Sequence, residues 1–141
     1  YPTQSENFRR GGLGLYSTLS DYSSFVRMLL NGKSQDGQIL LSPTTLNVMH
    51  GNRIPQKHLP LRIGDTLLPG YGWNLSGRVM MDTSKALSTH ATLNEFGWAG
   101  AASSFFWVDP DRQITGVLMT QFMGSKYLLA DDMATAFYAG L

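Results

Sequence analysis

The sequence has 141 residues, of which 43% are hydrophobic, 15% charged and 11% aromatic; that is room for one domain or part of a larger one, with enough apolar material for a core, so disorder is excluded as its main description. Eleven Lys and Arg against ten Asp and Glu leave a net charge of +1, too even for the electrostatic footprint of a nucleic-acid binder or a basic stripe for an anionic membrane. The absence of cysteine excludes disulfide frameworks and thiolate zinc sites and leaves the compartment open, and no apolar run approaches the roughly 18 residues of a membrane span.

Residues 1–10, YPTQSENFRR, are polar and patternless and read as an extended lead-in. Starting on Tyr1 rather than Met, the chain is expected to have polypeptide upstream of it. Gly11, Gly12 and Gly14 permit a turn or a close approach. Thr18-Leu19-Ser20-Asp21 has the pattern of a helix N-terminus, with Thr18 as cap and an acid three residues on. Leu19, Tyr22, Phe25, Val26, Leu29 and Leu30 then mark one helical face, and Asn31-Gly32 supplies a left-handed stop. Such a face needs a partner surface, since each buried side chain of this kind contributes on the order of 1.5–3 kcal/mol.

Gln35-Asp36-Gly37 is a turn signal, and Ser42-Pro43 places a cap and a first-position proline ahead of a short helix to about Met49. Residues 50–70 read as a loop or excursion, and a strand pair is expected around Ser76-Gly77 from Gly72-Trp73-Asn74-Leu75 and Val79-Met80. Residues 82–94 are polar and ambiguous. Phe96–Gly100 leads into an aromatic strand over Ser103–Val108, where Ser103 and Ser104 read as ordinary strand residues. Asp109-Pro110-Asp111-Arg112 turns the chain into a second strand, Ile114–Phe122, making a hairpin. A closing helix is expected from Leu128 to Phe137, with Leu129, Met133, Ala136 and Phe137 along one side.

No complete catalytic set is present in these residues. His50, His58 and His90 lack a helical partner ligand, so no metal site is indicated. There is no phosphate-binding glycine loop, no Gly-x-Ser-x-Gly elbow, and no serine followed three residues later by lysine. That last spacing would return an ammonium to the hydroxyl on a helix and activate it. Phe96-Gly97-Trp98-Ala99-Gly100-Ala101-Ala102 leaves two readings open. Its small residues could let a ligand approach a strand edge, with the Ala101 N–H donating to an oxyanion. It could equally be a glycine bend where an aromatic strand packs under a helix.

In order and spacing, several segments resemble the C-terminal part of the serine β-lactamase and penicillin-binding-protein superfamily, in its class C-like branch of esterases and D-amino-acid peptidases. They are Gly11-Gly12-Leu13-Gly14-Leu15-Tyr16-Ser17-Thr18, Asp21-Tyr22, Met28–Gly32, Asp36–Pro43, Tyr71-Gly72-Trp73, and Phe96-Gly97-Trp98 through Phe106-Trp107-Val108-Asp109-Pro110. The resemblance implies an α+β fold, a partial β-lactamase/transpeptidase-like domain over 1–141. Its antiparallel sheet would hold the last three strands, with N-terminal helices and a C-terminal helix packed on it. It implies a serine hydrolase acting through an acyl-enzyme on a small ester, amide or β-lactam, with no cofactor and no metal.

By motif position, the resemblance makes Trp98-Ala99-Gly100 the counterpart of the family's Lys-Thr-Gly or His/Trp-x-Gly edge strand, lining the substrate site, and Ala101 the oxyanion-hole N–H. Trp98 in place of lysine removes the cation that would pair with a substrate carboxylate, which favours an esterase-like reading. The family's Ser-x-x-Lys and Tyr-x-Asn motifs do not occur in the 141 residues; they are expected upstream, and the chain alone is expected to be inactive. The uncharged strand Ile114–Phe122 is expected to present an edge that recruits another strand, by dimerisation, swapping or association with an N-terminal portion. The alternative is a non-catalytic homologue that binds peptide or cell-wall fragments. For compartment, the resemblance leans only towards a bacterial envelope.

Overall fold

The computed structural model describes residues 12, 15–86, 90–123 and 129–141. The lead-in over 1–10, Gly11, Gly14 and Leu128 lie outside the described residues.

Helix α1 spans Leu19–Asn31 between its two expected stops. Thr18 Oγ1 accepts the Asp21 N–H at 3.1 Å and donates to the Asp21 carboxylate at 2.9 Å. At the other end Gly32 takes φ 75° and its N–H closes on Met28 O at 2.8 Å. A Cβ there would overlap the Leu41 carbonyl, so both the φ and the space require glycine. Val26 and Leu29 are buried against the sheet, whereas Leu19 and Phe25 stay 54% and 46% exposed. The covered stripe is therefore narrower than the apolar one. Helix α2, Pro43–His50, starts as expected, with Ser42 Oγ accepting the Thr45 N–H at 3.1 Å. His50 ends this helix, its Nε2 donating to Leu29 O at 2.7 Å and its ring against Phe96.

Residues 50–70 are more ordered than the loop expected of them. A 3-10 turn over Gln56–His58 precedes a hairpin of β1, Leu61–Ile63, and β2, Thr66–Leu68. Gly64, at φ 56°, turns that hairpin. Leu61 and Leu68 bury their side chains with Tyr71 and Met80 in a cluster of their own. Within the ambiguous 82–94 stretch, Thr83–Lys85 forms a second 3-10 turn capped by Asp82.

The main sheet is antiparallel and, among the described residues, five-stranded in the order β3-β4-β5-β6-β7. Its members are β3, Tyr71–Trp73; β4, Arg78–Met80; β5, Phe96–Ala99; β6, Phe105–Asp109; and β7, Ile114–Leu118. The expected closing meander is β5–β7; the strand pair β3–β4 extends the same sheet beyond β5. Three boundaries differ from expectation. β3 ends at Trp73, leaving Asn74 and Leu75 in the turn to β4, because the Asn74 side chain accepts the Ser76 and Gly77 N–H groups. Ser103 and Ser104 belong to the β5–β6 turn, not to a strand, because Ser103 takes φ 62°. The strand from Ile114 stops at Leu118 instead of Phe122, because the following residues bond to that turn. The Thr120 hydroxyl donates to Ala102 O, and the Phe122 N–H reaches the same oxygen at 3.2 Å.

All of β6 is buried because both faces of the sheet are covered. Phe106 and Val108 join Val26, Leu29, Val79 and Phe96 beneath α1. By strand alternation Phe105, Trp107 and Asp109 point the other way, towards α3, Leu129–Tyr138. There Trp107 meets Phe137 edge to face. Tyr138, not the expected apolar stripe, is the buried residue of α3. Its hydroxyl donates to the buried Asp109 carboxylate at 3.1 Å, which also accepts from Thr92 Oγ1 at 2.8 Å and the Arg112 N–H at 2.9 Å.

Candidate functional site

Strand β5 carries Trp98 and Ala99 opposite Phe106 and Phe105 of β6. On its other side β4 pairs only as far as Phe96 and Gly97, so from Trp98 onward that edge of β5 has no strand partner among the described residues. The chain then reverses tightly. Gly100 N–H donates to Ser104 O at 2.7 Å and Ser103 N–H to Gly100 O at 3.0 Å. This places Ala101 at the first corner of a four-residue turn. Ala101 is exposed, and its N–H has no hydrogen-bond partner among the described residues. A Cβ built on Gly100 would find nothing nearer than Ser104 at 3.9 Å, so the approach to this backbone is open.

Trp98, Ala99 and Gly100 line a cavity of about 660 Å³, together with Tyr22 of α1, Phe106 of β6 and Val117 of β7. Ala101 is not among its lining residues. No Asp, Glu, Lys, Arg or His lines it among the described residues. Burial pushes the Tyr22 phenol above its ordinary pKa of 10.0, and its ring lies edge to face on Phe106 at 6.1 Å. The Trp98 indole meets Trp73 of β3 edge to face, with ring centres 4.6 Å apart and planes at 70°.

The sequence places Tyr22 on the apolar face of α1 and Trp73 in a strand, each within a segment that carries the family resemblance but neither with a role at the site; neither carries a local signal that separates wall from core. The cavity holds no activated nucleophile among the described residues. Ser104 Oγ donates to Thr120 O at 3.3 Å and Ser17 Oγ to Thr18 O at 3.2 Å, both backbone oxygens without basicity. No group of three His, Asp or Glu side chains able to hold a metal occurs among the described residues.

Residues 2–140 match the family described as Beta-lactamase. The chain belongs to the beta-lactamase family. An uncharacterised protein of Mycobacterium tuberculosis, MT1414 in strain CDC 1551 and Rv1367c in strain H37Rv, is 32% identical over 118 residues, covering 82% of this chain and 29% of the relative. The chain thus spans less than a third of the length of these curated relatives.

Among solved structures, a penicillin-binding-protein homologue from Caulobacter crescentus aligns with a TM-score of 0.61 at 22% identity, over 83% of this chain and 30% of its own. EstCE1, described as a hydrolase with promiscuous acyltransferase activity, aligns with a TM-score of 0.55 at 23% identity, over 70% of this chain and 23% of its own. At these identities the likeness is one of fold. This beta-lactamase-family chain has the partial α+β fold of the β-lactamase and transpeptidase type, which is a serine hydrolase-like fold.

Proposed function

We propose that the chain forms the C-terminal wall of an acyl-transfer site in a serine hydrolase, whose nucleophilic serine and base come from polypeptide outside these 141 residues. The observation that supports this most is the open, unpartnered Ala101 N–H at the end of β5, beside a cavity walled by Trp98, Ala99 and Gly100. In such a site the serine attacks an ester or amide carbonyl, and the oxygen that gains charge is held by backbone N–H groups aimed at it. Ala101 would supply one of these donors. Trp98 would shape the acyl pocket, and Gly100 would leave room for the substrate to approach the strand.

The uncharged lining favours a neutral ester or amide over a carboxylate-bearing lactam, whose anion would find no cation on this wall. With its remaining walls supplied elsewhere, the site would need no cofactor. The free side of β7 would accept a further strand, since Ile114–Leu118 holds no charge and pairs only with β6 among the described residues.

The test is Ala101→Pro in the longer polypeptide that carries the serine. Proline is favoured at this corner of the turn and deletes only the N–H. Hydrolysis of a nitrophenyl ester is expected to lose roughly 100- to 1,000-fold in kcat, as for removal of one oxyanion donor, with the melting temperature unchanged. An unchanged kcat overturns the role of Ala101.

A further inference from the structure

An indole forms a fixed wall only if its rotamer is fixed, and Trp98 is partly exposed at the rim between sheet and cavity. One side of it packs on the cluster beneath α1; the ring against it is Trp73, whose backbone is held firmly. The Trp73 backbone N–H donates to Asn52 Oδ1 at 3.0 Å and its carbonyl accepts the Arg53 backbone N–H at 2.7 Å. Asn52 is locked in turn, bonding to Ile54 O at 2.9 Å and to Ile54 N–H at 3.0 Å. Gly72 makes room for that amide, since a Cβ there would overlap Asn52.

The turn after Trp73 is equally constrained. The buried Asn74 accepts the Ser76 and Gly77 N–H groups at 2.7 and 2.8 Å and donates to His50 O at 3.1 Å. Gly77 lets this turn lie on β5, because a Cβ there would overlap the Gly97 carbonyl and come within 3.2 Å of Trp98 Cβ. Two side-chain amides and two close-approach glycines therefore fix the Trp73 backbone and its turn against β5, and the Trp73 ring, packed on the Leu61–Leu68–Tyr71–Met80 cluster, meets Trp98 from that fixed base.

We infer that Trp73 is a positioning residue: it holds the Trp98 indole in one rotamer as the wall of the cavity and so sets the size of acyl group the cavity admits. The acyl-size part rests on the acyl-transfer reading above; the rotamer part does not. Edge-to-face pairing of this kind biases a rotamer equilibrium by roughly 2- to 13-fold.

The chain's three tryptophans allow a direct test by fluorine NMR on 5-fluorotryptophan-labelled protein, with Trp98→Phe assigning the resonance of interest. In Trp73→Leu the Trp98 resonance is expected to split or broaden and become more sensitive to solvent, while that of buried Trp107 stays in place. Trp73→Phe, which keeps a ring, is expected to restore a single sharp line. If Trp73→Leu does not fold, as the Trp107 resonance would report, Trp73→Met removes the ring while keeping apolar bulk and carries the same comparison. A Trp98 line that stays single and unshifted without a ring at position 73 overturns the inference. In the serine-bearing polypeptide, Trp73→Leu is expected to lower KM for octanoyl over acetyl nitrophenyl esters by at least about fivefold, with kcat little changed. An unaltered chain-length profile overturns the acyl-size part, whereas failure to turn over any ester defeats the acyl-transfer reading and leaves the fluorine result to decide the role of Trp73.

Discussion

Replacing Glu95 by glutamine perturbs a carboxyl that the sheet has half buried. Glu95 leads into β5, its N–H on Thr92 O at 3.1 Å and its carbonyl accepting the Met80 N–H at 2.8 Å. Burial, reinforced by the charge of Asp109 and opposed by Arg78 and Arg112, raises its pKa from 4.5 to about 7. The folded protein therefore holds this proton more tightly than the unfolded chain does. The stabilisation is complete below about pH 4.5 and is lost as pH rises towards and through 7. At about 1.36 kcal/mol per pH unit the loss comes to about 3 kcal/mol. For a chain of this length that corresponds to a melting-temperature difference of about 10 °C.

Urea unfolding of both proteins at pH 4.5, 6 and 8 isolates the effect, because the other titrating groups are common to the pair. Glu95→Gln is expected to gain about 3 kcal/mol on the parent between pH 4.5 and 8, with most of the change between pH 5 and 7. Parallel stability curves, or a variant that loses ground as pH rises, would refute the reasoning.

Gly116 faces the ring of buried Trp107, and a Cβ there would overlap it; Gly116→Ala is expected to cost about 1–3 kcal/mol in chemical denaturation, the usual cost of overpacking. Tyr138→Phe removes the hydroxyl bonded to the buried Asp109 and is expected to cost about 1.5–3 kcal/mol, with faster proteolysis within α3 than in the parent. The 141-residue chain alone is expected to leave a chromogenic lactam and a nitrophenyl ester unhydrolysed, since it holds no Ser-x-x-Lys or Tyr-x-Asn. Turnover abolished by a serine-directed acylating reagent would contradict that.

Elements whose limits are set locally were legible in the sequence. The Thr18 cap and Gly32 stop define α1, and Ser42-Pro43 defines the start of α2, because caps and left-handed glycines act within a few residues. The hairpin at 61–68 was not legible: its strands are three residues each, too short for alternation to register. Ser103 and Ser104 misled for a related reason. A non-glycine residue at positive φ gives no turn signal, so the expected strand starts at Ser103, two residues before the reversal gives way to β6. Tyr138 escaped because its anchor is a hydroxyl on a buried carboxylate 29 residues earlier, which apolar periodicity does not detect. At the site, spacing alone left Trp98–Ala101 undecided between wall and bend, and it was the family resemblance that assigned them a role. The Trp73–Trp98 contact joins non-neighbouring strands of the sheet, and no pattern within either segment encodes it.

The most direct measurement is a crystal structure of the serine-bearing polypeptide acylated or trapped by an ester-like boronate. The expected result is the Ala101 nitrogen about 2.7–3.1 Å from the boronate oxygen that mimics the oxyanion, with the Trp98 indole along the bound acyl chain. An oxyanion oxygen held by other donors, with the Ala101 N–H turned away from it, would contradict the account.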